Sequence, residues 1–512
     1  MPKAVESNVT GYEQHVLAVH EPATVDEVSA IVRSARDRGV RLYPVSTGMN
    51  WGYGSRSPVR AGCELMLLQR MNRIRNADKI CETMPVALIE PGVTQADLHA
   101  LLVKQGDKLA FNVTGSSPAT SILGNALDRG VGYNGPRSAD LFGLEVVTGT
   151  GEVIHTGFRT LGDESPLSTT HSYGVGPSME GLFFQGSFGI VTSACLRLQV
   201  RPECAQVVSI ELRAATDLAR FIDTMAALKR EGWISSVAHI GNRARAHATL
   251  HAGFADYLVR HCGWPADAAR AAVPAMVARM APHAWTGFGA VSGSRASVRA
   301  ALAQIRRRLA PIARMRSFST AGLGALQRLA HGLRWLPPML PVAAALHAID
   351  PLHGLARGVP TDMALRALLW DQGVDAGANP DTVDACGLLY IAPALPMDGQ
   401  LVADALERLE AVASGFDHRL YVTANVETAT SMVAVGNLLF DRRSRAETDR
   451  AHACADALLE EIHRLGLEVY RARADMMARV TGRNPAHWAT LAKLRAALDP
   501  DGVIAPGRYG IG

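Results

Sequence analysis

Three features of the sequence predict an α+β protein of two domains. Its 512 residues are more than one hydrophobic core usually serves, so two or three domains are expected. Helix and strand signals alternate over roughly the first 200 residues without strict βαβ repetition, which predicts α+β structure around a mixed sheet. From about Val207 the pattern changes to strand, helix, a long Ala/Arg-rich helical region and then three strand runs, as in a second α+β domain with an antiparallel sheet.

The elements follow in order. Thr24 is placed to cap a helix beginning at Val25, with Asp26 and Glu27 where the helix dipole favours acids, and Gly39 ends it. Val40, Leu42 and Val45 read as a strand, and 87–93 as another stopped by Pro91-Gly92. Thr94 caps a helix over 95–105, closed by Gly106. Residues 144–147 and 152–155 flank a Thr-Gly-Thr-Gly turn and predict a hairpin, and 189–198 predicts a strand after a glycine turn. In the second part, 209–212 reads as a strand and 217–231 as an amphipathic helix. The stretch 265–370 reads as helical. Its most apolar segment, 333–352, carries four prolines, an Arg, a His and an Asp, so it suits a buried or cofactor-facing position better than a membrane. Strands are expected at 387–393, 419–426 and 433–439, and helices at 400–413, 445–465 and 485–498.

Composition excludes several functions. Hydrophobic content of 48%, 20% charged residues and a net charge of +4 describe an ordinary soluble protein with no nucleic-acid or anionic-membrane signature. Seven scattered cysteines without C-x-x-C fit reduced thiols in a cytoplasmic protein. The first residues show no signal-peptide pattern. Metalloprotease, serine-hydrolase and EF-hand motifs are absent.

The chemistry resides in glycine-rich blocks. Residues 44–54 (Pro44, Ser46, Thr47, Gly48, Met49, Asn50, Trp51, Gly52, Tyr53, Gly54) follow a strand and place three glycines in seven positions. Glycine has no Cβ to keep backbone N–H groups from a phosphate. The block has neither a P-loop lysine nor a helix-opening G-x-G-x-x-G, so it is a different phosphate cradle or an ordinary turn. A second block holds Thr114, Gly115, Ser116, Ser121, Gly124, Asn125, Arg129, Gly130, Gly132 and Tyr133. A third holds Gly186, Gly189, Ile190 and Val191, and Ala505-Pro506-Gly507-Arg508 stands near the end. Their concentration suits backbone pressed against a large, flat, polar ligand.

On these residues the chain resembles the vanillyl-alcohol oxidase / p-cresol methylhydroxylase family of FAD enzymes. The loop 44–54, Glu90-Pro91-Gly92-Val93-Thr94, Leu123-Gly124-Asn125 with 129–133, 186–191, 358–361, 387–393 and 499–508 fall in the family's order. The resemblance implies an FAD-binding domain in two pieces, 1–205 and 468–512, with a cap domain over 206–467. It implies FAD bound by the glycine blocks and Arg508, a small-molecule substrate, oxygen or an electron carrier as acceptor, and a possible homodimer.

It also implies a phenolate-binding trio, Tyr53, Tyr470 and Arg471, since two phenols and a guanidinium can stabilise an oxyanion. Alternatively Tyr53 packs and Arg471 pairs with a carboxylate such as Glu468 or Asp475. The family's paired histidines fall at Val433 and Ala434 and its acid at Ala424, so standard alkylphenol oxidation is not implied intact. Asn425 and Glu427 share one strand face by alternation and are candidates to replace the lost groups. The flavin-linking histidine falls near Leu388, and Asn50 stands where other relatives carry one in the loop. Non-covalent FAD is therefore expected, with Tyr390 as the other linkage point. His171, His239, His261, His331 and His347 are isolated and read as packed or solvated. The expected function is two-electron oxidation of a small phenolic or aromatic substrate. Oxidation of a 2-hydroxy acid or alcohol, and a flavin-binding scaffold without turnover, are the alternatives.

Overall fold

Local signals set the first helices. The computed structural model describes residues 4–374 and 378–510. In it Thr24 accepts the Glu27 N–H and opens the helix Val25–Asp37. Thr94 and Asp97 form a reciprocal capping box at the start of Gln95–Lys104. The first part of the chain forms two four-stranded sheets where one mixed sheet was expected. One orders Ala4–Glu6, Gln14–His20, Cys63–Leu67 and Arg41–Val45, with the last two pairings parallel. The other is antiparallel and contains the expected hairpin, Leu141–Val147 with Val153–His155, beside Ile190–Arg197 and Val86–Ile89. The chain's end returns to the first sheet: Leu42 N–H donates to Val503 O at 2.8 Å and Ala505 N–H to Leu42 O at 2.7 Å.

The second part is built on a nine-stranded antiparallel sheet. Side-chain alternation gives its faces different work. Ile240, Val422, Ala424, Val426 and Leu438 point into a core shared with the helices Leu218–Arg230, Arg295–Leu309, Gly399–Gly415 and Arg445–Arg464. Their neighbours His239, Gly241, Thr423, Asn425, Val435 and Asn437 line a cavity.

The expectation of a helical region over 265–370 holds for most of it and is corrected for two strands. Strands Trp285–Gly293 and Ala313–Phe318 interrupt it, and Ala238–Asn242 precedes it. Pairing decides these strands against their small-residue composition. A Cβ on Gly287 would lie 2.1 Å from His239 O, so the absent side chain lets the strands approach. Helices Arg243–Cys262, Ala266–Met280, Thr320–Gly332 and Met339–Leu355 then pack on one another over the cavity. The proline-bearing segment 333–352 contributes Ile349 and Leu352 to the cavity wall at its end, but its start is exposed, with Trp335 73% accessible, so only its second half is buried or cofactor-facing as expected. Among the described residues, no helix is long and apolar enough to cross a membrane.

Candidate functional site

Two connected recesses meet at the loop 44–54. A cleft of about 160 Å³ is lined by Pro44, Ser46, Thr47, Gly48, Pro91, Ser121, Gly124, Gly186, Gly189, Ile190, Val191 and Arg508. Beside it a cavity of about 390 Å³ is lined by Trp51, Tyr53, Thr114, Gly115, Ser116, Arg129, Gly130 and Tyr133 together with the cap sheet. Met49, Asn50, Asn125 and Arg471 line both. Gly52, Gly54, Gly92, Val93 and Gly132, also expected at the cofactor, line neither recess. Val93 is fully buried, and the glycines admit neighbours: a Cβ on Gly52 would meet the Tyr390 ring at 2.6 Å, and one on Gly92 the Gln69 carbonyl at 2.3 Å.

The cleft fits an anionic group on its own chemistry. The backbone N–H groups of Thr47, Gly48, Met49, Asn50 and Trp51 donate to nothing among the described residues. Consecutive unpaired amides in a half-buried loop form a cradle for phosphate oxygens. Arg471 and Arg508 both bond Asp128, two guanidiniums against one carboxylate, which leaves positive charge in the cleft. Asp128 was not among the residues expected to matter. Burial alone would raise its pKa, but the two guanidiniums outweigh it and hold it low.

The three residues expected to bind a phenolate all line the larger cavity, and Arg471 also reaches the cleft. Arg471 lies over the Tyr53 ring at 4.2 Å and also bonds Asn50. Its carboxylate partner is Asp128, whereas Glu468 engages His463 and Arg483, and Asp475 engages Arg473 and His452. Arg129 lies over the Tyr470 ring at 4.4 Å. Burial raises the pKa of Tyr53 and Tyr470, opposed by nearby guanidiniums, so both keep their O–H donors at neutral pH. Tyr390 packs against Tyr53 with ring centroids 5.0 Å apart and faces the cavity, while Leu388 is buried in the core behind.

Of the family positions that differ here, Val433 faces the cavity, but Ala424 and Ala434 pair across the strands on the core face. The side chains presented to the cavity at that level are Thr423 and Asn425. Asn425 Oδ1 bonds His239 Nδ1 at 2.7 Å, and His239 Nε2 is buried without a partner among the described residues. Burial lowers the His239 pKa to about 4, so the imidazole is neutral. This histidine was read from sequence as packed or solvated; it is a cavity residue, 4.4 Å from the Tyr133 ring. The other four lie outside the cavity: His171 edges onto Phe158, and His261, His331 and His347 cluster around Tyr257. Glu427 follows the strand, buried, with its pKa raised by burial to about 7 against the pull of Arg129 and Lys229. It is not on the cavity wall.

Residues 16–157 match a family model described as an FAD binding domain. The chain is 32% identical to 1'-carboxy-chondrochloren decarboxylase of Chondromyces crocatus, over 99% of this chain and 92% of that protein. It is 25% identical to the 4-cresol dehydrogenase [hydroxylating] flavoprotein subunit of Pseudomonas putida, over 96% of this chain and 89% of that one. The chain belongs to the p-cresol methylhydroxylase family of FAD flavoproteins. The fold agrees. A p-cresol methylhydroxylase structure with bound substrate superposes with a TM-score of 0.81 at 23% identity over 99% of this chain and 92% of that one. A 4-ethylphenol oxidase from Gulosibacter chungangensis gives 0.80 at 24% over 96% and 89%. As a member of this family the protein is an FAD-dependent oxidoreductase. The amide cradle of the cleft and Arg508 would hold the FAD pyrophosphate, and the larger cavity would take the flavin ring and a substrate.

Proposed function

We propose that the protein oxidises a small phenolic substrate by two electrons, with Tyr53, Tyr470 and Arg471 binding the substrate oxygen as phenolate. The observation that supports this reading is that Arg471 lies over the Tyr53 ring and that both, with Tyr470, line the same largely apolar cavity. Bound FAD supplies the two-electron acceptor, and oxygen or an electron carrier reoxidises it. The tyrosines donate hydrogen bonds, Arg471 supplies charge, and the cap sheet excludes water around the chain para to the oxygen. Asn50 and Leu388 offer no linking side chain, so FAD binds non-covalently; yellow flavin retained on acid-precipitated protein would assign the linkage to Tyr390 instead.

A second outcome for the oxidised substrate is favoured by the relative named a decarboxylase. In a substrate with a carboxylate on the carbon next to the oxidised one, the C–CO2 bond can break with its electron pair forming the alkene and restoring the phenolate, which needs neither a water-activating base nor a proton donor where Val433, Ala424 and Ala434 stand. Oxidation of a 2-hydroxy acid, with Arg471 on its carboxylate, is the competing reading. Anaerobic bleaching of the flavin separates these. Para-alkylphenols should bleach it and simple 2-hydroxy acids should not; the reverse pattern sinks the phenol reading. Arg471→Ala should weaken phenol binding at least about tenfold, the worth of roughly one charge-assisted hydrogen bond.

A further inference from the structure

We infer that Arg245 forms a second anion site in the cavity, one that takes a carboxylate carried on the phenolic substrate's side chain. The inference rests on the phenol reading for the other end of the ligand. Arg245 is the third residue of the helix Arg243–Cys262, and its N–H is held by the capping Asn242 Oδ1 at 3.0 Å. Its side chain passes beside Gly241, where a Cβ would lie 3.3 Å from the Arg245 Cγ, and enters the cavity. Nη1 donates to Thr249 Oγ1 at 2.8 Å and Nη2 to Ala364 O at 2.7 Å. These bonds fix the plane of the guanidinium but neutralise none of its charge, and they use two of its five N–H donors.

Among the described residues Arg245 has no carboxylate partner. The charged or polar groups that act on it are the phenols of Tyr390 and Tyr133. Arg471, on the same cavity, is matched by Asp128. A partly buried guanidinium with no counter-charge is unfavourable, and a bound anion would relieve it. Burial accordingly lowers the Arg245 pKa. One neighbouring group points the same way. Thr286, which pairs across the sheet with Gly241 and lines the cavity, leaves its Oγ1 hydroxyl, a possible donor, buried without a partner among the described residues. Arg245, Arg471 and Tyr390 all line this cavity, and Tyr390 lies within electrostatic reach of both cations. A ligand with an oxyanion at each end satisfies both, and the apolar wall between suits an aromatic ring.

Anaerobic calorimetric titration of the protein loaded with pre-reduced FAD, which can accept no hydride, with 4-ethylphenol, 3-(4-hydroxyphenyl)propanoate and 3-phenylpropanoate tests this without turnover. The carboxylate-bearing phenol should bind about tenfold or more tighter than 4-ethylphenol. Arg245→Gln should abolish that preference and leave 4-ethylphenol affinity unchanged, and Arg245→Lys should restore part of it. Equal affinity of the wild-type protein for the two phenols would overturn the inference whether or not the variants fold. So would a preference that survives Arg245→Gln. If both acids bind equally and through Arg245 while 4-ethylphenol does not bind, the carboxylate site stands and the phenol reading fails.

Discussion

Glu427 sits just past the strand Tyr421–Val426 with 6% of its surface exposed, and its Oε1 has no hydrogen-bond partner among the described residues. Burial raises its pKa to about 7, well above the value near 4.3 of an unfolded chain. The folded protein therefore holds a proton that the unfolded chain has lost between those two values. Stability from this group is present below about pH 4.3 and is lost as pH rises through 7. Glu427→Gln keeps the shape and removes the titration. Its melting temperature should match wild type near pH 4 and exceed it at pH 8, by the equivalent of a few kcal/mol at most. Parallel melting at both pH values would show that Glu427 titrates normally. Tyr53 and the Tyr470-Arg471 pair could be placed at a cavity from sequence because they stand in short segments with recognisable neighbours. His239 and Asn425 were not read as a pair, because their partnership spans 186 residues and isolated positions carry no spacing signal. Asp128 and Arg245 escaped for the same reason. What marks them is the charge that surrounds or fails to surround them in space.

At the scale of elements, helices with caps were read correctly because the signal is local: Thr24, Thr94 and the Pro485–Leu498 helix need only their own neighbours. The strand Trp285–Gly293 was missed because Gly287, Gly289 and Gly293 weaken any strand propensity. Its stability comes from eight-residue pairing with Cys204–Leu212 on one side and from Ala238–Asn242 on the other. This makes Gly287 a sharp test. An alanine there would drive Cβ into the His239 backbone and to 2.5 Å from Ile240 Cδ1, so the two strands must separate. Gly287→Ala should destabilise the protein by about 1–3 kcal/mol, the range for overpacking. Because His239 is on the displaced strand, the variant should also bind 4-ethylphenol more weakly than wild type when both are folded. A fully stable variant with unaltered binding would mean the strands are not packed so closely.

Across the whole molecule, Asp128 ties together segments that are far apart in the chain. It bonds Arg471 beside the cap sheet's last strand and Arg508 in the C-terminal return, and Asn50 from the first glycine loop. The C-terminal return itself is held by backbone pairing with Leu42. One carboxylate thus closes the cleft from three sides and takes up charge that a pyrophosphate would otherwise meet alone. Asp128→Asn leaves two buried guanidiniums without a counter-ion. Breaking a buried ion pair from one side costs about 3–5 kcal/mol, so the FAD-free variant should melt well below wild type. FAD restores negative charge to the same place, and a ligand that binds only the folded form stabilises it by mass action. The increase in melting temperature on adding saturating FAD should therefore be larger for Asp128→Asn than for wild type. If the two increases are equal, Arg471 and Arg508 do not face the pyrophosphate, and Asp128 is a structural staple with no part in holding the cofactor.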